Sequence, residues 1–226
     1  SNWCDRVTAI FVAGAGTDIG KTYVTAALLR ALAGVGRAVA ALKPVASGFD
    51  EENPLGSDPA VLLEALGRPL TSAALAEIAP WRYRAPLAPD QAARLEGRAV
   101  DGRAVLAFCE AKIAAADGAL VFVESAGGIM SPLDDERTML DLASGLAAPV
   151  LLVTGNYLGA ISHTLTATEV IRTAKLPLCG VIVNGATGPL DLGETTAAMA
   201  ARLPGVKVVA LARDADGQAL AAELSL

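Results

Sequence analysis

The sequence predicts an α/β fold, with a mostly parallel central sheet flanked by helices in three layers. Three observations predict it. Short apolar runs alternate with longer helical patterns along most of the chain. Several of these runs are apolar at every position, as parallel strands covered on both faces must be. A glycine-rich loop joins the first run to the first helical pattern, and such a loop is a phosphate-binding device.

The first strand-like run, residues 8–12, leads into that loop, and a helical pattern follows at 21–33. A second run at 38–42 precedes a stretch of different character. Residues 47–90 hold Pro54, Pro59, Pro69, Pro80, Pro86 and Pro89, with Pro44 just before them, around one short helical pattern at 59–66. This stretch is expected to be an insertion over the active face of a single domain spanning 1–226. Regular alternation then resumes. Helical patterns at 104–116, 138–146, 161–173 and 195–203 alternate with runs at 119–123, 150–153, 179–183 and 207–211. Such βαβ units build an open sheet, and ligands sit beyond the carboxyl ends of its strands.

Composition narrows the function classes. Hydrophobic residues make up 53% and charged residues 19% of 226, which excludes a disordered chain. A net charge of −6 argues against a nucleic-acid surface and an anionic membrane surface. No apolar stretch approaches the ~20 residues needed to span a bilayer, and residues 1–6 show no secretory pattern. Cys4, Cys109 and Cys179 are far apart in sequence. They are expected to be reduced, two of them as buried apolar fillers, in a cytoplasmic protein. The single histidine, His163, is expected to be a structural helix residue.

The loop reads Gly14-Ala15-Gly16-Thr17-Asp18-Ile19-Gly20-Lys21-Thr22. Ala15 stands where the common Gly-x-x-x-x-Gly-Lys-Thr pattern has glycine, so this is a variant phosphate loop of a P-loop NTPase fold. Backbone N–H groups of such a loop cradle a polyphosphate, Lys21 reaches its terminal phosphates, and the Thr22 hydroxyl holds Mg²⁺. Lys43 follows the second strand. There it either neutralises charge on a transferred phosphoryl group or is a solvated loop lysine. Glu124 closes the third long run, before Ser125-Ala126-Gly127-Gly128. It is either a Mg²⁺ ligand or a carboxylate in water. Asp58, before Pro59, suits a helix cap. Asn184, before Gly185, reads equally as a base contact or as turn chemistry.

Together these residues resemble the dethiobiotin synthetase family. The resemblance rests on residues 14–22, Lys43-Pro44-Val45-Ala46-Ser47-Gly48, Ser57-Asp58, residues 123–128, residues 158–163 and Val183-Asn184. It implies an ATP-dependent cyclo-ligase acting on 7,8-diaminopelargonate and CO₂ or bicarbonate with Mg²⁺. A carbamate would attack the γ-phosphate, and the resulting carbamic–phosphoric anhydride would close to the ureido ring. By the same resemblance, Thr22, Asp58 and Glu124 hold the metal. Lys21 and Lys43 serve phosphate and carbamate. Thr17, Asp18, Ile19, Gly20, Ser125, Ala126 and Gly127 line the nucleotide, and Asn184 and Gly185 lie at the base. Ser47 lies near the substrate. The family pattern is a homodimer in which Gly159, Ala160, Ile161 and Ser162 of one chain reach the other chain's substrate. Departures from the family pattern are Asp18 for Glu, Ser125 for Gly, Ser162 for Asn, Asp90 for His and Ala210-Leu211 for Ile-Pro.

A switch ATPase of the partitioning or division-site class shares the loop style. Its extra lysine, five residues before the Gly-Lys-Thr lysine, would fall at Gly16. A regulatory GTPase needs Asn-Lys-x-Asp, and no Asn-Lys pair occurs.

Overall fold

In the computed structural model, described over residues 7–213, 215 and 217–226, the six longer apolar runs become one parallel sheet. Its strands are β1 (Ala9–Gly14), β2 (Val39–Leu42), β5 (Leu120–Gly128), β6 (Val150–Gly155), β7 (Leu178–Asn184) and β8 (Val208–Leu211). The spatial order is β2-β5-β1-β6-β7-β8. β1 therefore pairs in parallel with β5 on one side and β6 on the other. Both faces of β1 and β6 are buried at every residue, which explains their unbroken apolar sequences.

Helices flank the sheet. α1 (Lys21–Gly34) packs on α2 (Asp58–Ala65) and on α9 (Gly217–Leu224), while α5 (Gly102–Ala114) packs on α6 (Met139–Gly145) and α7 (Ala160–Thr173) on α8 (Leu192–Ala200). α1 leads from β1 back toward β2, whereas α7 and α8 lead outward to β7 and β8. Right-handed crossovers therefore place α1 on the face opposite α7 and α8. The change of direction opens a crevice beyond the carboxyl end of β1. Phe11, Val12, Phe122, Val123, Leu151 and Leu152 fill the centre of the core.

Residues 47–90 hold more structure than the one expected helix. β3 (Val45–Ser47) pairs in parallel with β4 (Trp81–Tyr83), and α3 (Ser72–Ile78) and α4 (Pro89–Leu95) accompany α2. Pro89 is not a loop marker but sits in the first turn of α4, where its missing N–H costs nothing.

Cys109 is fully buried, as expected of an apolar filler, whereas Cys179 is only half-buried. Cys4 lies outside the described residues. His163 stands exposed in the first turn of α7, its Nδ1 3.0 Å from the Tyr157 hydroxyl. No helix among the described residues is long and apolar enough to cross a membrane.

Candidate active site

β1 delivers the chain to Gly14, where any Cβ would stand 2.5 Å from the Gly16 carbonyl oxygen. The loop then turns through two left-handed residues, Asp18 at φ 55° and Gly20 at φ 83°. Aspartate tolerates that conformation better than most side chains. α1 opens at Lys21 with no side-chain cap, leaving its first N–H groups to an anion.

Four charged side chains meet beside this loop. The Lys43 ammonium donates to Glu124 Oε1 at 2.7 Å and to the Ser125 carbonyl at 3.1 Å, and lies 2.7 Å from Asp58 Oδ2. Glu124 Oε1 also accepts from the Thr22 hydroxyl at 2.6 Å, and Oε2 from Thr25 at 3.0 Å. Glu124 is 0% and Lys43 3% exposed, whereas the Asp58 side chain is 48% exposed at the cleft face. Burial alone would lower the Lys43 pKa, but the Glu124 and Asp58 carboxylates outweigh it and raise it to about 12. Lys21 lacks such a close pair. Burial, reinforced by the Lys43 charge, lowers it to about 8. Burial opposes ionisation of Asp58, but the Lys43 ammonium and the Thr22 hydroxyl hold its carboxyl below the usual range.

Two expectations need correction here. Asp58 does not cap α2: Ser57 is the N-cap residue, its hydroxyl donates to Pro54 O at 2.7 Å, and Asp58 points its carboxylate at Lys43. Glu124 does not close its strand but sits within β5 opposite Val12, because Gly127-Gly128 let β5 run on beside Gly14. A Cβ on Gly128 would stand 3.4 Å from Gly14 O, so the glycines serve strand approach as well as the site.

Among the described residues, no group of three or more His, Cys, Asp or Glu side chains could hold a metal. The local donors are one hydroxyl and two carboxylates, with the Lys43 ammonium bridging Asp58 and Glu124 as a counter-cation. An all-oxygen set with few protein ligands suits Mg²⁺, which takes its remaining ligands from phosphates and water.

A cleft of about 640 Å³ runs from this cluster to the insertion. Thr17, Asp18, Gly20, Lys21, Thr22, Lys43, Asp58, Ala126 and Gly127 line one part, and Ser47 with Ser131 and the 86–89 segment the rest. Ser47 Oγ is buried without a hydrogen-bond partner. Ser131 and the 86–89 wall carry no sequence signal beyond the prolines. Ser125, a departure from the family pattern, turns its hydroxyl back to the Gly127 carbonyl at 3.0 Å and is 1% exposed, so it does not obstruct the cleft.

The other candidates lie elsewhere. Ile19 is buried in the loop. Asn184 ends β7 with its Nδ2 donating to Ile19 O at 3.0 Å, and the Gly185 N–H donates to Leu211 O at 2.9 Å. Gly159, at φ 96°, caps α7. Neither it nor Ala160, Ile161 or Ser162 lines this chain's own cleft.

The AAA domain family model matches residues 8–212. The ATP-dependent dethiobiotin synthetase BioD of Methylobacterium nodulans is 51% identical over 211 residues, covering 92% of this chain and 94% of that protein. The enzyme of the same name from Phenylobacterium zucineum is 47% identical over 206 residues, covering 90% and 88%. A ParA family ATPase from Chlorobium tepidum superposes with a TM-score of 0.53 over 96% of this chain and 88% of its own. At 15% identity that likeness shows a shared P-loop NTPase fold and nothing of its activity. On the strength of its sequence matches along nearly the whole chain, this protein belongs to the ATP-dependent dethiobiotin synthetase family.

Proposed function

We propose that the cleft between the phosphate loop and Ser47 joins CO₂ to 7,8-diaminopelargonate at the expense of ATP, giving dethiobiotin, ADP and phosphate. The observation that carries this reading is the placement of Lys43. Its buried ammonium sits at the junction of the loop, both carboxylates and the Ser47 side of one cleft.

One substrate amine adds to CO₂ as a carbamate, releasing a proton. A carbamate oxygen attacks the γ-phosphorus and ADP departs. The second amine attacks the carbonyl carbon of the anhydride, and phosphate leaves with the bridging oxygen. No nucleophilic side chain is needed, so the chain's task is positioning and charge neutralisation. N–H groups of residues 17–22 would cradle the phosphates. Lys21 and Lys43 would neutralise charge on the transferred phosphoryl group and the carbamate. The unpaired Ser47 Oγ is available to the substrate. The backbone of Ser125, Ala126 and Gly127 would face the phosphates, and Asn184 and Gly185 the base. Thr22, Asp58 and Glu124 would hold Mg²⁺, which supplies charge neutralisation at the phosphates when bound.

The site is read as shared in a homodimer of a cytoplasmic protein, with Gly159, Ala160, Ile161 and Ser162 reaching the partner's substrate carboxylate. Supporting this, Leu158 is 89% exposed beside Gly159 and Ser162 is exposed, an arrangement a neighbouring subunit would cover. Mass spectrometry of products from diaminopelargonate, Mg-ATP and ¹³C-bicarbonate tests the reading. The expected product is dethiobiotin carrying one ¹³C. ATP hydrolysis with no labelled product would overturn it.

A further inference from the structure

Asn184 is 2% exposed, and its side-chain amide is held at both ends. Nδ2 donates to the Ile19 carbonyl at 3.0 Å, and Oδ1 accepts from the Ala186 N–H at 3.1 Å. A flipped amide would set oxygen against oxygen and donor against donor, so these partners fix its orientation. The loop lies directly on the amide: a Cβ on Gly20 would stand 2.1 Å from Nδ2. The amide in turn rests on a firm base. Asn184 pairs with Gly155 at the end of β6, and its carbonyl accepts from the Thr187 hydroxyl at 2.9 Å. Thr187 packs so closely that a Cβ on Gly155 would stand 1.8 Å from its Oγ1.

The bond to Ile19 has a consequence for the next N–H. A trans peptide carries its C=O and N–H on opposite edges of one plane, and the described chain has no cis peptide. Drawing the Ile19 carbonyl onto Asn184 turns the Gly20 N–H away from Asn184, and Gly20 lines the cleft. The geometry points to Asn184 as a positioning residue of the phosphate loop, acting on the polyphosphate through the Ile19–Gly20 peptide and not only on the base. This role rests on the reading of the loop as a triphosphate site. These two bonds use one N–H and one lone pair of the amide and leave one of each, so the two roles are compatible. Asn184 would then tie the base side of the nucleotide site to the shape of its phosphate side.

Inorganic tripolyphosphate separates the roles, because it has phosphates and no base. Binding of Mg-tripolyphosphate and Mg-ATP is measured by calorimetry on the whole protein, wild type and Asn184→Ala, with melting curves to confirm folding. Loss of one hydrogen bond to a buried carbonyl is expected to weaken tripolyphosphate about tenfold. If the alanine variant does not fold, Asn184→Ser, a less drastic truncation, is measured in the same way. A folded variant with weakened ATP but unchanged tripolyphosphate would confine Asn184 to the base and overturn the positioning role. Unchanged affinity for both would also overturn it. Wild-type protein that bound neither ligand would instead overturn the triphosphate reading, and this role with it.

Discussion

Lys43, directly after β2, and Glu124, within the adjacent parallel strand β5, stand 2.7 Å apart, at 3% and 0% exposure. The buried ammonium and the buried carboxylate compensate each other's charge. Asp58 joins them from the more exposed side, 2.7 Å from the same ammonium. A buried pair of this kind adds little net stability, but breaking it leaves an uncompensated charge.

Replacing Lys43 with alanine is therefore expected to act twice. Turnover should fall about 100-fold, the effect of losing one preorganised charge at a developing oxyanion. The melting temperature should fall as well, since an unpaired Glu124 costs about 3–5 kcal/mol. Mg²⁺ should restore the melting temperature of Lys43→Ala more than it shifts wild type, because a second cation then compensates Glu124 and Asp58. Equal shifts in both proteins would contradict the compensation.

Asp58→Ala and Glu124→Ala separate metal binding from structure. Both should raise the Mg²⁺ concentration needed for half-maximal rate far more than the diaminopelargonate requirement. The carboxylate of Asp58 engages Lys43, not the α2 N–H groups, so loss of a cap is not the expected phenotype. An unchanged Mg²⁺ titration for Asp58→Ala would remove it from the metal site.

Much of this arrangement was legible in the sequence. Apolar runs marked the six sheet strands, most plainly β1, β5 and β6, where burial is nearly continuous. The loop motif placed Lys21 and Thr22 at the start of α1. β3 and β4 were not legible. Each has three residues, and Val45 pairs with Trp81 far along the chain, so neither leaves a period to read. α3 and α4 have seven residues each, among prolines that read as punctuation. α9 begins at Gly217, where a Cβ would stand 2.4 Å from the Ala27 carbonyl. Its Gln, Ala, Leu and Glu residues favour helix, and close packing on α1 places it. Sequence put Asn184 at a strand end but could not show that its amide is spent on Ile19.

Cys109 contributes to the change of stability at alkaline pH. Burial, with the Glu110 charge adding, pushes the Cys109 thiol from 9.0 up to about 12. The unfolded chain ionises first, so the folded state's advantage is complete below about pH 9 and is lost progressively as pH rises toward 12. Melting curves of wild type and Cys109→Ala should converge as pH rises above about 9. A difference constant with pH would show that Cys109 does not ionise on unfolding.

A shared site can be tested by mixing. Ala160 is 1% exposed and packs on Val183 and Met199, so a bulky group there would disturb its own chain. Ser162 is exposed, and Ser162→Tyr is the better block. Combined with Lys43→Ala, each inactive alone, it should return partial activity, because one site per heterodimer carries neither defect. Proven subunit exchange with no recovered activity would count against sharing.

In the proposed reaction a carbamate oxygen attacks the γ-phosphate while Lys43 and Lys21 neutralise charge. The path of that oxygen tests it most directly. In a single turnover with C¹⁸O₂, stopped before the label exchanges with water, the carbamate carries ¹⁸O into the bridging position of the anhydride. Ring closure then releases it with phosphate. Each phosphate formed should carry one ¹⁸O, read by mass spectrometry, and ADP none. Unlabelled phosphate alongside dethiobiotin formation would contradict it.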